Sequence, residues 1–386
     1  MKNYVIVSLI FLTTFQNLFY NLLPINIFGV SIYLVFFVSI LLFFFILNHK
    51  RQSSRNLFYY SLFLIFYVAF FYFRHSAYNY DNLLDKLLKA FTWYLVPIII
   101  LLTSIINQKS FKSIQNTLLI ILIFQSILSL FFIVGLPTIN LLTEEHTFAY
   151  IRYVGIMSGA NVNANFNALI VSVLVLGSNY YNNRSKFLFI CLGVLSVIPS
   201  LSRLPLLILL LLLFYLIRIQ FTKSIYMKFL IFSSFLIVGI IAANNTKYLY
   251  DIGTINRIAN TIEVGSDQVR SEKYAYGFSI LFSDYSSILV GPPKKLQEGR
   301  FIEFSDNSYL HMALELGLPM FILYLLLLIR FIKHQVNRFS IELKLYIFII
   351  LITCLLNNSI LWIPWLFIYF VGLNIINRNN LLKVYN

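Results

Sequence analysis

Residues 201–220 read LSRLPLLILLLLLFYLIRIQ, and between Arg203 and Arg218 no residue is charged. A helix of this composition has no polar face to offer water. A run of about 20 apolar residues is the length that crosses the hydrocarbon of a bilayer. The flanks define the ends. Pro199, Ser200, Ser202 and Pro205 shape a turn around Arg203, and Arg218 opens a basic segment that continues to Lys223 and Lys228.

The rest of the chain repeats this pattern. Of 386 residues 60% are hydrophobic and 11% charged, against about 25% charged in a soluble domain. Apolar runs recur at roughly 4–22, 29–47, 57–73, 91–106, 115–136, 160–177, 186–201, 204–220, 226–243, 309–332, 343–359 and 361–377. The expected fold is all-α, a polytopic membrane bundle of about 12 spans with one large external loop containing short helices. Residues 1–243 hold spans 1–9, residues 244–307 the loop, and residues 308–386 spans 10–12 and a C-terminal tail. The region around Pro199 reads either as two tight spans or as one broken helix. The N-terminus runs from Met1-Lys2 into an apolar stretch without a small-residue cleavage site, which predicts an uncleaved first helix.

The net charge of +15 would suggest nucleic acid in a soluble protein. Here the bases sit in short loops, as membrane topology requires. With the N-terminus in the cytoplasm, the inner segments carry 17 Lys and Arg and the short outer loops 5, while the remaining 7 fall in 244–307. Long loops do not set orientation. This bias predicts both termini inside, an even number of spans and the long loop outside. It also favours two spans around Pro199. Cys191 and Cys354 lie in apolar runs and form neither a disulfide framework nor a metal motif.

Segment 244–307 contains 8 of the 14 acids. Leu249, Ile252, Ile255, Ile258 and Ile262 make an apolar stripe at helical spacing, fit to lie on the membrane surface or cap the bundle. A second helix is expected from about Gln268 to Leu281, and Gly291-Pro292-Pro293 is a turn or breaker.

The chemistry-bearing residues gather on the outer face. Arg203 at the mouth of an apolar helix is either a functional charge or one that snorkels to head groups. Arg270, Arg257 and Arg152 are either solvated loop charges or anion ligands. Asn161, Asn163, Asn165 and Asn167 alternate at the head of a span, where amides bridge helices or line a polar cavity. In Ser305-Asp306-Asn307-Ser308-Tyr309-Leu310-His311, Asp306 or Ser305 is placed to cap a helix. His311 and Glu315 share a helix face, where they form a local pair or supply a general base. Arginine forks match phosphate geometry. No nucleotide-binding loop or metal-ligand set occurs in the sequence, so the expected chemistry is recognition of a lipid-linked anion that carries its own activation.

At these residues the sequence resembles the O-antigen polymerase and O-antigen ligase family. Arg152-Tyr-Val-Gly155 through Asn161 is similar to its Arg-x-x-Gly followed by Asn. Ser202-Arg203 before Leu206–Leu213 is similar to its Ser-Arg and aliphatic span, and Arg270 with Tyr274 to the Arg and aromatic of its external loop. Asn307-Ser308-Tyr309-Leu310 with Glu315 and Gly317 is similar to its His-Asn-x-x-Leu…Glu-x-Gly signature. Asp306 stands where that signature has His, which favours a repeat-unit polymerase over a ligase.

The resemblance implies metal-independent glycosyl transfer with no cofactor, from a polyprenyl-diphosphate-linked oligosaccharide to a second lipid-linked unit. Arg203 and Arg270, with Arg152 and Arg257, would hold the diphosphate. Asp306 or His311 would be the catalytic base, and Asn161, Asn307, Tyr309 and Glu315 would support the site. The implied partners are membrane lipid, a flippase and a chain-length regulator, and no nucleic acid. The competing readings are a ligase that transfers glycan to another acceptor, a transporter or flippase for lipid-linked sugars, and an anchor or assembly partner without chemistry.

Overall fold

The computed structural model describes residues 26–27, 30–31, 108–134, 144–147, 150–153, 160–177, 180–200, 202–220, 266–292, 307–335, 340–356 and 368–377. These are helical apart from turns and two short antiparallel pairs. In the pairs, β1 (Asn26–Ile27) lies beside β2 (Val30–Ser31), and β3 (Glu144–Thr147) beside β4 (Tyr150–Tyr153). The expected spans at 4–22, 57–73, 91–106 and 226–243, and the apolar stripe at 249–262, lie outside the described residues. Of 29–47 only Val30–Ser31 is described, as strand.

The helices are α1 (Gln108–Val134), α2 (Ala160–Leu176), α3 (Asn183–Val197), α4 (Arg203–Gln220), α5 (Ser266–Leu281), α6 (Tyr285–Val290), α7 (Ser308–Leu316), α8 (Leu318–Gln335), α9 (Ile341–Leu356) and α10 (Ile368–Asn377). A 3-10 turn, Ile198–Ser200, separates α3 from α4, so the Pro199 region holds two helices packed on each other. Proline has no N–H to continue a helical ladder.

Helix α2 is the centre. Ala164, Phe166, Leu169, Val171, Val173 and Leu174 are all fully buried, enclosed by α1, α3, α4, α9 and α10. Small residues let the backbones approach. A Cβ at Gly193 would overlap Val171, and one at Gly372 would overlap Tyr346 and Val173. Tyr346 is completely buried and donates its hydroxyl to the Ile368 carbonyl at 2.7 Å.

Polar side chains tie the helices from within. Gln125 Nε2 donates to Asn163 Oδ1 at 2.9 Å, Gln115 Nε2 to the Gly177 carbonyl at 2.9 Å, and Ser126 Oγ to the Leu192 carbonyl at 2.9 Å. The outward face of α1 is the reverse, with Ile120, Ile123, Phe124, Ile127, Leu130 and Phe131 exposed. Phe111–Ile133 is long and apolar enough to cross a membrane. It begins before the expected residue 115, because Lys112 and Gln115 continue the helix rather than ending it.

The same bonds fix the helix directions. Gln115 joins the start of α1 to the end of α2, and Gln125 joins the later part of α1 to the start of α2. Tyr215 near the end of α4 donates to Glu342 Oε1 at the start of α9, at 3.1 Å. Tyr309 at the start of α7 donates to the Leu351 carbonyl in the later half of α9, at 3.4 Å. One end of the bundle therefore carries Lys109, Lys112, Arg184, Lys186, Arg218 and Lys344. The opposite end carries the heads of α2, α4 and α7.

The run at 309–332 differs from the expected single span. It breaks at Gly317 into α7 and α8. Gly317 has φ +74° and ψ 162°, and Gly291, after α6, has φ +81° and ψ 152°, a region that essentially only glycine occupies. The two are interlocked. A Cβ on Gly291 would fall on the Leu314 carbonyl, and a Cβ on Gly317 on the Leu289 carbonyl. Backbone against backbone at this crossing pins the loop helices to the bundle. The apolar sequence on both sides of Gly317 hides the break from a hydropathy reading.

Candidate functional site at the less basic end

The head of α4 is built from the turn before it. Pro199, Ser200 and Ser202 are buried while Arg203, the first residue of α4, is exposed. Ser200 Oγ donates to the Val197 carbonyl at 2.6 Å, which closes the turn. The 3-10 turn packs against α1, α2 and β4. Arg152 stands on β4, paired in register with Glu145. The structure thus brings the turn before Arg203 against two neighbouring stretches much earlier in the sequence, the Arg152 strand and α2.

Asn161 is half-buried at the head of α2, and its carbonyl accepts from Asn165 Nδ2 at 2.8 Å. Asn163, Asn165 and Asn167 are fully buried. Among the described residues Gln125 Oε1, Asn163 Nδ2, Asn165 Oδ1 and both polar atoms of Asn167 have no hydrogen-bond partner. Sequence reading missed Gln125. The available signal was a lone amide in the middle of an apolar run, which has to face the bundle interior.

The second part of the site is α7. Its cap is Asn307, neither Asp306 nor Ser305. The side-chain oxygen of Asn307 accepts from the backbone N–H groups of Tyr309 and Leu310, both at 3.0 Å. That bond explains the buried Asn307 as a structural cap, a preferred residue type at this position. His311 is half-buried one turn on, and Glu315 lies one further turn along the same helix. Asp306 and Arg257 lie outside the described residues.

Helix α7 has two apolar sides. Met312 is buried in the main bundle core, and Tyr309 packs against it. Leu310, Ala313 and Leu314 form a second cluster with Ile280 and Leu281 of α5, flanked by Tyr274. Arg270 lies on α5, one turn before Tyr274. The loop helix that bears Arg270 is therefore docked on the helix that bears His311.

Asp284 holds the α5–α6 elbow. Its carboxylate accepts from Ser287 N–H and Ser286 Oγ, and these bonds, that from Ser286 first, hold its pKa below the ordinary carboxylate value. A depressed pKa means that the stabilisation is complete above the unfolded value and is lost as pH falls through the folded one. Acidification below the usual carboxylate range is expected to lower the amide protection factors, taken against the intrinsic rates at each pH, across 285–290. Asp284→Asn, also a good cap, is expected to keep protection at neutral pH and to remove its dependence on acid. Hydrogen exchange read by mass spectrometry checks both.

No family model, curated protein or solved structure matches this chain.

Proposed function

We propose that the chain is a multi-pass protein of about 12 spans in the bacterial cytoplasmic membrane, with both termini in the cytoplasm. In this reading it polymerises polyprenyl-diphosphate-linked oligosaccharide repeat units into a surface polysaccharide on the outer face. The observation that carries the reading is the segregation of the two bundle ends. Lys109, Lys112, Arg184, Lys186, Arg218 and Lys344 crowd one, as expected of a cytoplasmic face. The heads of α2, α4 and α7, with Asn161, Arg203 and His311, lie at the other. Exposed apolar side chains on α1, α4, α8 and α9 support a lipid surround, and four sequence stretches in the order of the polymerase and ligase family support the chemistry.

The reaction follows from these groups. Arg203 and Arg270 clamp the diphosphate of the donor and neutralise the charge that grows as the bond between the anomeric carbon and the phosphate oxygen breaks. Asp306 or His311 takes the proton of an acceptor sugar hydroxyl. The hydroxyl oxygen forms the new bond to the anomeric carbon with inversion, and polyprenyl diphosphate leaves. The energy comes from the donor's own phosphate ester, so no cofactor is required. Arg152 and Arg257 complete the basic surround, and Asn161, Asn307, Tyr309 and Glu315 support the site.

The test is a deletion strain analysed for glycan length and for the leaflet in which lipid-linked units reside. Loss of polymer with single units on the outer leaflet is the expected result. Units stranded on the inner leaflet would instead identify a flippase. Polymer of normal length that fails only to reach its final acceptor would identify a ligase.

A further inference from the structure

The elbow between α5 and α6 exposes large apolar side chains although it belongs to the most polar segment of the chain. Phe278 of α5 and Phe282 just past its end are exposed, and Tyr285 and Leu289 lie on one exposed face of α6, with Tyr285 87% exposed. The opposite faces are used, since Ile280, Leu281 and Val290 are buried. Such a patch is not isolated. Helix α6 packs on α8, and the Leu289 carbonyl abuts Gly317 immediately before α8. From there Ile322, Leu323, Leu326 and Ile329 continue the exposed apolar surface down α8.

We infer that the α5–α6 elbow is seated in the outer leaflet of the bilayer, as an interfacial element that continues the lipid-facing surface of α8. The occupant is the lipid itself, because α6 packs on α8, both present large exposed apolar side chains, and none of the described elements covers them. Asp284 and the exposed Ser283 and Ser286 limit the depth to the head-group boundary, where amphipathic helices rest about 5–10 Å into the interface. Tyr285 has the ring type that concentrates at that level. The consequence is positional. The elbow end of α5, the helix that carries Arg270, is thereby anchored at the membrane surface.

This inference rests on the reading of α8 as a membrane helix, and the experiment separates the two. Full-length protein with Cys191→Ala and Cys354→Ala is reconstituted in phospholipid nanodiscs. Single spin labels are placed through Phe282→Cys, Tyr285→Cys and Leu289→Cys on the elbow, Leu326→Cys on α8 and Glu272→Cys as the aqueous reference. Power saturation with oxygen and with a water-soluble nickel chelate gives the depth of each. Expected is an oxygen-to-nickel accessibility ratio several-fold above that of position 272 at all three elbow positions, with 326 deeper still. Elbow values equal to position 272 with 326 lipid-exposed would overturn the inference and leave the membrane reading standing. A water-accessible 326 would overturn both.

Discussion

Arg203→Ala is expected to abolish long glycan chains while the protein stays folded and in the membrane at its usual amount. Arg203 is exposed at the first turn of α4, outside the packed core, so truncation removes charge and five donors without opening a cavity. Loss of one charge-stabilising donor at a reacting centre typically costs roughly 10²–10³-fold in rate. Polymer length depends on that rate relative to chain release, so the surface-glycan ladder should collapse to its shortest bands. Arg203→Lys restores the charge without the bidentate fork and is expected to recover short chains only. Arg270→Ala should behave like Arg203→Ala, since α5 is docked on α7. Normal-length polymer from both alanine variants would remove the diphosphate clamp from the mechanism.

Gly317→Ala is expected to be the most destabilising single methyl addition at the loop–bundle junction, with Gly291→Ala close behind. Both backbones sit where only glycine is comfortable, at φ +74° and +81°, which costs a residue with a side chain about 1–3 kcal/mol. The new Cβ would also meet a backbone carbonyl of the opposing segment, which cannot rotate away as a side chain tip can. The sum is more than the cost of strain alone. The readouts are thermal unfolding in detergent and protease cleavage between residues 283 and 292, with Ser279→Ala on the exposed side of α5 as the comparison. Gly317→Ala should lower the melting temperature and expose the elbow to protease, while Ser279→Ala should do neither. An unchanged melting temperature in Gly317→Ala would mean that the two glycines do not cross as described.

The two effects lie on different levels. In the proposed mechanism Arg203 acts on the charge of a reacting group and leaves the architecture alone. Gly317 acts on the architecture, and through it on the placement of α5, α7 and whatever residues they carry.

Among the described residues the helix pattern was largely legible in the sequence. The ends of α2, α4 and α9 fall within a few residues of the apolar run boundaries, because a run that avoids charge is also the run that can pack. The turn at Pro199 was readable from a residue that cannot continue a ladder, and the helix expected from about Gln268 to Leu281 ends where the sequence reading placed it. The early start of α1 was not, since Lys112 and Gln115 are as compatible with helix as with loop until Gln115 finds the Gly177 carbonyl. Nor was the break at Gly317. Glycine within an apolar run is tolerated in a membrane helix, and only the approach of Leu289 decides that this one turns.

For the site, the sequence supplied the residue types and their order. It also placed the bases, through the Lys and Arg of Lys109, Lys112, Arg184, Lys186 and Arg218 in the flanks of apolar runs. It could not say that Asn307 rather than Asp306 caps α7, because either side chain makes that bond and the choice depends on where the helix begins. Nor could it say that the Arg152 strand meets the Ser202-Arg203 turn, or that α5 docks on α7. Local composition and periodicity decided the helices, since those depend on neighbours within a turn or two. Only the tertiary structure decided which helix heads share an end and which backbones cross, since these depend on side chains far apart in sequence filling one another's space.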